Sequence, residues 1–378
     1  MPTNRRFLRE IFASFLQWLM INSKLAIEFD EIATYFEDFM LSYFLKNETN
    51  CHYVIKKFND VHKRCNYLHF DNNPEIIAYN LFHFLNRYWR FQVIYLRLIE
   101  EGLLPIRKLP SDILEVGIGP GQGLFTLSDI FFLLKDYGWA DQHKVLTEFE
   151  FHCDYVEKSR GFRQWLHHFT EYFDTRKGRH SGVPYHHGSF GDYYSLNFQE
   201  LKHRLEINLI HEYVEEGLSW EEASFIVDQE KRDWKDRYHY NMLIFSNFIT
   251  QLADIPRIKE SLKSGCDSLR NGGILVIVGA THDPYPEIYK SISSEIRKIR
   301  YMYEELNTIQ NTDSYSVTSQ AFFERRLKSF YRRVYHQFEE FNVENEIPRK
   351  YLNKYFYNSE FRQPDWKLLV FRKQFNKR

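Results

Sequence analysis

Cysteine is scarce in this 378-residue chain, and the four present, Cys51, Cys65, Cys153 and Cys266, are far apart. They make neither a CxxC pair nor a zinc-ligand spacing, so no disulfide scaffold or zinc module is predicted, and a reducing cytoplasm is the expected compartment. Net charge is almost absent, at -1 with a pI near 7.0. Whole-molecule electrostatics therefore call for neither nucleic acid nor an anionic membrane. No apolar run is long enough to span a bilayer. The N-terminus places apolar residues at 8, 11, 12, 15, 16 and 19, a helical spacing, with charges at Arg9 and Glu10 and no small-residue cleavage site. It predicts an amphipathic helix rather than a targeting segment. The chain also lacks GxSxG, Walker and HExxH motifs, which removes the hydrolase, phosphate-loop and zincin readings.

What is present is a soluble globular composition, 43% hydrophobic and 27% charged, with an unusual load of 34 Phe and 26 Tyr. Core packing and subunit contacts account for such aromatics more simply than a dedicated pocket. Residues 1–105 carry helix-period apolar positions and almost no glycine, predicting a helical N-terminal region. Pro105 and Pro110 bracket a charged stretch and mark its boundary. Beyond it, in 106–378, short apolar runs alternate with amphipathic stretches, the pattern of a parallel sheet with crossover helices. Strands are expected at 113–116, 151–156, 183–187, 242–245, 274–278 and 367–371, and helices at about 124–135, 160–173, 257–269 and 285–303. Two segments outside a minimal sheet, about 199–237 and 301–362, are expected to be helical insertions.

The most informative stretch is Ile113-Leu114-Glu115-Val116-Gly117-Ile118-Gly119-Pro120-Gly121-Gln122-Gly123. An apolar strand feeds a glycine turn that opens a helix, where the backbone can bend sharply and approach a ligand. A GxGxxG dinucleotide loop would need glycine where Gln122 stands. The stretch resembles instead the ExGxGxG motif of class I S-adenosylmethionine-dependent methyltransferases, carried by Glu115, Gly117, Gly119 and Gly121. That resemblance implies an α/β fold, a Rossmann-like sheet, and a loop that wraps the methionine and ribose parts of S-adenosylmethionine.

It also implies further site residues. Glu157, ending the second strand, matches the family's acidic residue that accepts the ribose hydroxyls. Gly188-Ser189-Phe190-Gly191-Asp192 is similar to the adenine-side loop, with Asp192 for the exocyclic amine and Phe190 over the ring; an ordinary turn has the same composition. Ser246-Asn247-Phe248 stands where the family places its motif beside the transferred methyl, making Ser246 and Asn247 candidates to orient a nucleophile and Phe248 to pack on cofactor or acceptor. The Asn-Pro-Pro-Tyr form of amino-group DNA and protein-glutamine enzymes is absent. His282, just after the fifth strand, is a candidate general acid/base or a loop cap. The paired histidines 167–168 and 186–187 point in different directions along their elements, so no metal is expected. The segment 324–333 interleaves cations with aromatics, the pattern of a solvated helix face over a buried stripe, or of an RNA-binding one.

The expected activity is methyl transfer to a small-molecule or peptide acceptor, with S-adenosylmethionine as cofactor and no membrane partner. The alternatives are an RNA methyltransferase or a ribosome-associated methyltransferase-like protein, the latter expected to carry a cysteine cluster that is missing here, and a non-catalytic cofactor-binding interaction protein.

Overall fold

The computed structural model describes residues 5–64, 68, 70, 72–106, 111–140, 151–177, 188–190, 197, 203, 206–207, 210–211, 213–233, 240–246, 249–299, 303–310, 317–341, 349–357 and 366–374. Among the described residues seven strands form one sheet: β1 (Ser111–Val116), β2 (Phe151–Glu157), β3 (Gly188–Phe190), β4 (Tyr240–Ser246), β5 (Leu269–Gly279), β6 (Tyr303–Gln310) and β7 (Lys367–Lys373). Their order is β3-β2-β1-β4-β5-β7-β6. All neighbours are parallel except at β7, which is antiparallel to both β5 and β6.

Eleven α-helices surround it among the described residues: α1 (Arg5–Ile21), α2 (Lys24–Phe39), α3 (Glu48–Arg64), α4 (Asn73–Glu100), α5 (Gln122–Ala140), α6 (Arg160–Lys177), α7 (Trp220–Asp233), α8 (Asp254–Ser268), α9 (Tyr285–Lys298), α10 (Val317–Glu340) and α11 (Arg349–Leu352). None is long and apolar enough to cross a membrane. Strand alternation sends Ile113, Met242, Ile244, Val276 and Val370 into one core, shared with α1 to α6 and α10. Leu114, Leu243, Phe245, Ile277 and Phe371 face the other core, with α8 and α9. The N-terminal helices thus share the larger core with the sheet. Its aromatics are largely ring-on-ring packing, as in Phe36 stacked on Phe84 and Phe169 against Trp165.

Two elements differ from the sequence expectation. The third strand described is Gly188–Phe190, one step beyond the predicted 183–187, which lies outside the described residues. The segment expected as a helical cover opens with β6, whose sequence YEELNTIQ shows no apolar alternation because it is an edge strand paired only with β7. Helix α9 accordingly stops at Lys298 rather than near 303.

Helix α10 is held to α2 by ions as well as by apolar contacts. Glu37, 6% exposed, accepts from Arg326 Nη1 at 3.0 Å and pairs with Arg333 Nε at 2.5 Å, while Arg326 Nε reaches Asp30 at 2.7 Å. Glu37→Ala would take one of two acidic partners from the largely buried Arg326, which keeps Asp30, and half-exposed Arg333 would rehydrate. A loss of roughly 2–3 kcal/mol in urea denaturation is expected, below the usual cost of breaking a fully buried pair.

Candidate active site

The central strand β1 runs between β2 and β4, so the chain leaves its carboxyl end at the point where crossovers diverge to opposite sides of the sheet. A crevice at such a switch point is where open α/β sheets bind ligands. Here the turn requires three left-handed residues, with φ of +74° at Gly117, +58° at Gly119 and +88° at Gly121, a conformation costly for any residue with a Cβ. Gly117 N donates to Val156 O at 2.9 Å, tying the turn to β2, and Gly121 O accepts from Phe125 N at 2.9 Å as α5 begins.

The glycines do different work. A Cβ on Gly121 would lie 2.5 Å from Leu166 Cδ1 of α6, so this glycine serves close helix packing. One on Gly123 would meet Glu115 Oε1 and Oε2 at 2.8 and 2.9 Å, so that glycine makes room for a buried carboxyl. A Cβ on Gly119 would meet nothing within 4 Å. Gly119 alone of these three combines a left-handed backbone with an open side.

Two carboxyls lie beneath the turn. Glu157, 4% exposed, accepts Gly119 N at 2.7 Å on Oε2 and Ser159 N at 2.8 Å on Oε1. Burial raises its pKa above the ordinary value against the opposing pull of these backbone N–H groups. A carboxylate offers about four acceptor positions, and the backbone N–H groups of Gly119, Ser159 and Lys158 that act on Glu157 leave acceptor capacity for a hydroxyl donor beside the turn. Asp154, the other acid of β2, accepts from Tyr240 Oη at 2.6 Å and stands level with Leu114, three residues earlier than the strand end.

Glu115 is 1% exposed, and burial pushes its pKa up to about 8, with the Ser246 hydroxyl opposing and Glu157 adding to the shift. The folded chain therefore keeps a proton here that the unfolded chain releases above its ordinary 4.5. Stability falls as pH rises from 4.5 to about 8 and is not reduced by this group below that window. Glu115→Gln should flatten that fall, raising urea stability at about pH 9 by up to about 4 kcal/mol and leaving it near wild type at about pH 4. An unchanged slope would show that the carboxyl is ionised in the folded state.

Other sequence-predicted residues are placed as follows. Ser246 is buried at the end of β4 with its hydroxyl toward Glu115. His282 is exposed, lies four residues past Val278, the partner of Ser246, and sets its ring edge-on to Tyr285 at 5.3 Å. Phe190 ends β3 level with Glu157 in the backbone register. Asn247, Phe248 and Asp192 lie outside the described residues.

Sequence reasoning missed two features. Ser159 caps α6, its Oγ accepting from Phe162 N at 3.0 Å and donating to Phe70 O at 2.8 Å, which fastens the N-terminal region to the end of β2. The second is a line of polar residues on α4, Asn80, His83, Arg87 and Arg90, whose spacing puts them on one face of a helix most of whose other residues are apolar. That break in the apolar pattern was the available signal.

The strand order, with β7 reversed between β5 and β6, is that of the class I methyltransferase fold. No protein-family profile matches the chain, and no curated protein does. Among solved structures it is similar to phosphoethanolamine N-methyltransferase 2 of Haemonchus contortus, at 12% identity and TM-score 0.39, over 84% of this chain and 60% of that one. It is also similar to a SAM-dependent methyltransferase of Geobacter sulfurreducens, at 12% identity and TM-score 0.35, over 84% and 98% of the two chains. The N-methyltransferase NodS of Bradyrhizobium japonicum matches at 10% identity and TM-score 0.33, over 77% and 98%. This chain spans less than two thirds of the Haemonchus protein.

Proposed function

We propose that this protein binds S-adenosylmethionine over the Gly117–Gly121 turn and transfers its methyl group to a small-molecule or peptide acceptor. The observation that carries the reading is the pairing of Gly119 with Glu157: an open left-handed glycine bonded to a buried acid, at the switch point of the sheet. The residues fit the cofactor. Glu157 has acceptor capacity left for a ribose hydroxyl, the open side of Gly119 admits a close approach, and neither feature calls for a phosphate. Gln122, buried at the start of α5, stands where a dinucleotide loop would hold its third glycine.

When bound, the cofactor supplies a sulfonium that carries both methyl and leaving group. The protein's part is then to orient the acceptor in line and to exclude water. Glu157 would hold one end of the cofactor, and α4 packs with the N-terminal helices on the face of the sheet opposite α8 and α9. His282, in the loop after β5, would take a proton from an acceptor that must lose one.

The RNA reading drew on the basic aromatic helix α10. Its Phe323, Phe330, Tyr331 and Phe338 are buried in the core and Arg326 is engaged by Asp30 and Glu37, so these groups are not a base-stacking surface. Native mass spectrometry of the chain mixed with equimolar S-adenosylmethionine and NAD tests the proposal. An adduct with the mass of S-adenosylmethionine or its demethylated product is expected, absent from Glu157→Ala; selective uptake of NAD would overturn it.

A further inference from the structure

The line Asn80, His83, Arg87 and Arg90 advances by three, four and three residues along α4, one face of the helix. Asn80 is fully buried, and neither its amide nitrogen nor its amide oxygen has a hydrogen-bond partner. His83 Nε2 is likewise buried and unpartnered, and burial beside Arg87 and Arg90 holds this imidazole well below its ordinary pKa, so it is neutral. Arg87 Nη1 donates to the Tyr79 hydroxyl, and the guanidinium stands 5.0 Å from that ring. Arg90 is 4% exposed, and the groups that act on it include Arg87 and the phenols of Tyr79, Tyr285 and Tyr289.

The ends of this line are fixed by the sheet. Tyr79 packs on Phe162 at 5.1 Å, at the start of α6 just past Glu157, and Ile76 lies against Gly161. Tyr285 and Tyr289 open α9, immediately after β5, where the Tyr289 hydroxyl donates to Ala280 O at 2.6 Å. The polar face of α4 thus crosses the carboxyl edge of the sheet from β2 toward β5, the edge that carries Gly119 and Glu157.

We infer that this face is an oxyanion subsite, and that the methyl acceptor carries a phosphate or carboxylate group received by Arg87 and Arg90 with the Asn80 amide. The inference rests on the reading of this sheet edge as the methyl-transfer site. Arg87 is partly buried and Arg90 buried three residues further along the same face, and an oxyanion beside them would gain charge-assisted hydrogen bonds from both. Asn80 contributes two amide donors otherwise unused, and neutral His83 tolerates the anion while completing the wall.

Calorimetric titration of the full chain with inorganic phosphate, and separately with acetate, in the presence and absence of S-adenosylhomocysteine, tests this subsite. Phosphate is expected to bind wild type in the millimolar range, and Arg87→Gln to weaken it about tenfold. Asn80→Asp, nearly isosteric, should abolish phosphate binding while keeping or raising Tm, because the new carboxylate occupies the anion's place beside Arg87 and Arg90; a merely structural role would lower Tm instead. Arg297→Gln, exposed on α9, should bind phosphate as wild type does. Tighter binding of phosphate than of acetate marks a phosphoester acceptor and the reverse a carboxylate one, both supporting the subsite. Binding of neither anion to wild type, or unchanged phosphate affinity in both α4 variants, would overturn it. Phosphate bound at these residues by a chain that takes up no S-adenosylhomocysteine would uphold the subsite and defeat the methyl-transfer reading.

Discussion

Gly119→Val is expected to remove measurable binding of S-adenosylhomocysteine from a chain that still folds. At φ +58° any branched residue is strained, which should cost about 1–2 kcal/mol of stability. No protein atom lies within 4 Å of the added Cβ, so there is no internal clash to unfold the turn. The new methyl groups would instead stand where the cofactor approaches, and affinity should fall by more than about 3 kcal/mol, over a hundredfold. Gly119→Asn separates the two effects, because Asn accepts the left-handed region at less cost yet still fills the open side. Thermal denaturation and calorimetry on both variants should show near-normal stability for Asn with binding lost in each. Variants that melt early but bind normally when folded would mark the glycine as structural only.

The second large effect is at Glu157. Truncation to alanine takes a charged acceptor from the ligand and leaves the N–H groups of Gly119 and Ser159 without their partner. Affinity for S-adenosylhomocysteine should drop by about 3 kcal/mol, and stability by about 1–3 kcal/mol, since each stranded donor carries its own desolvation cost. Glu157→Gln keeps one acceptor oxygen but turns an amide against one of the two N–H donors, so its affinity should fall between wild type and alanine. The pH dependence has a definite sign. Burial raises the pKa of Glu157 in the free chain, and the ionised form is the better hydroxyl acceptor, so affinity should rise with pH through that raised value. Equal affinities for wild type and Glu157→Ala would place the ribose elsewhere.

The legible parts of the fold were those that physics writes into a few adjacent residues. Strands β4, β5 and β7 carry continuous apolar runs buried on both faces, and β1 a shorter one, Ile113, Leu114 and Val116 around Glu115. Glu157 was legible because an acid closing such a run must sit at its carboxyl end. Strand β3, three residues long, is too short to show a period, and β6 at the sheet edge carries Glu304, Glu305 and Asn307 in place of alternation.

Within the glycine turn, sequence gives the residues but not their separate purposes. Gly121 answers to Leu166, forty-five positions on, and Gly123 to the side chain of Glu115, while Gly119 has an open side; only the packed structure tells them apart. The bond from Gly119 to Glu157 joins residues 38 apart and depends on a positive φ that no composition records. The polar face of α4 was hidden for a different reason: Asn80, His83, Asn86, Arg87 and Arg90 within eleven positions look like solvent exposure, whereas Asn80 and Arg90 are buried.

The central claim is that the Gly119–Glu157 cleft holds S-adenosylmethionine, and calorimetric titration of the wild-type chain with S-adenosylmethionine and S-adenosylhomocysteine tests it most directly. Micromolar binding of one or both is predicted, roughly -7 to -8 kcal/mol, with a matching rise in Tm through linkage. No heat of binding and no shift in Tm with either compound would contradict it.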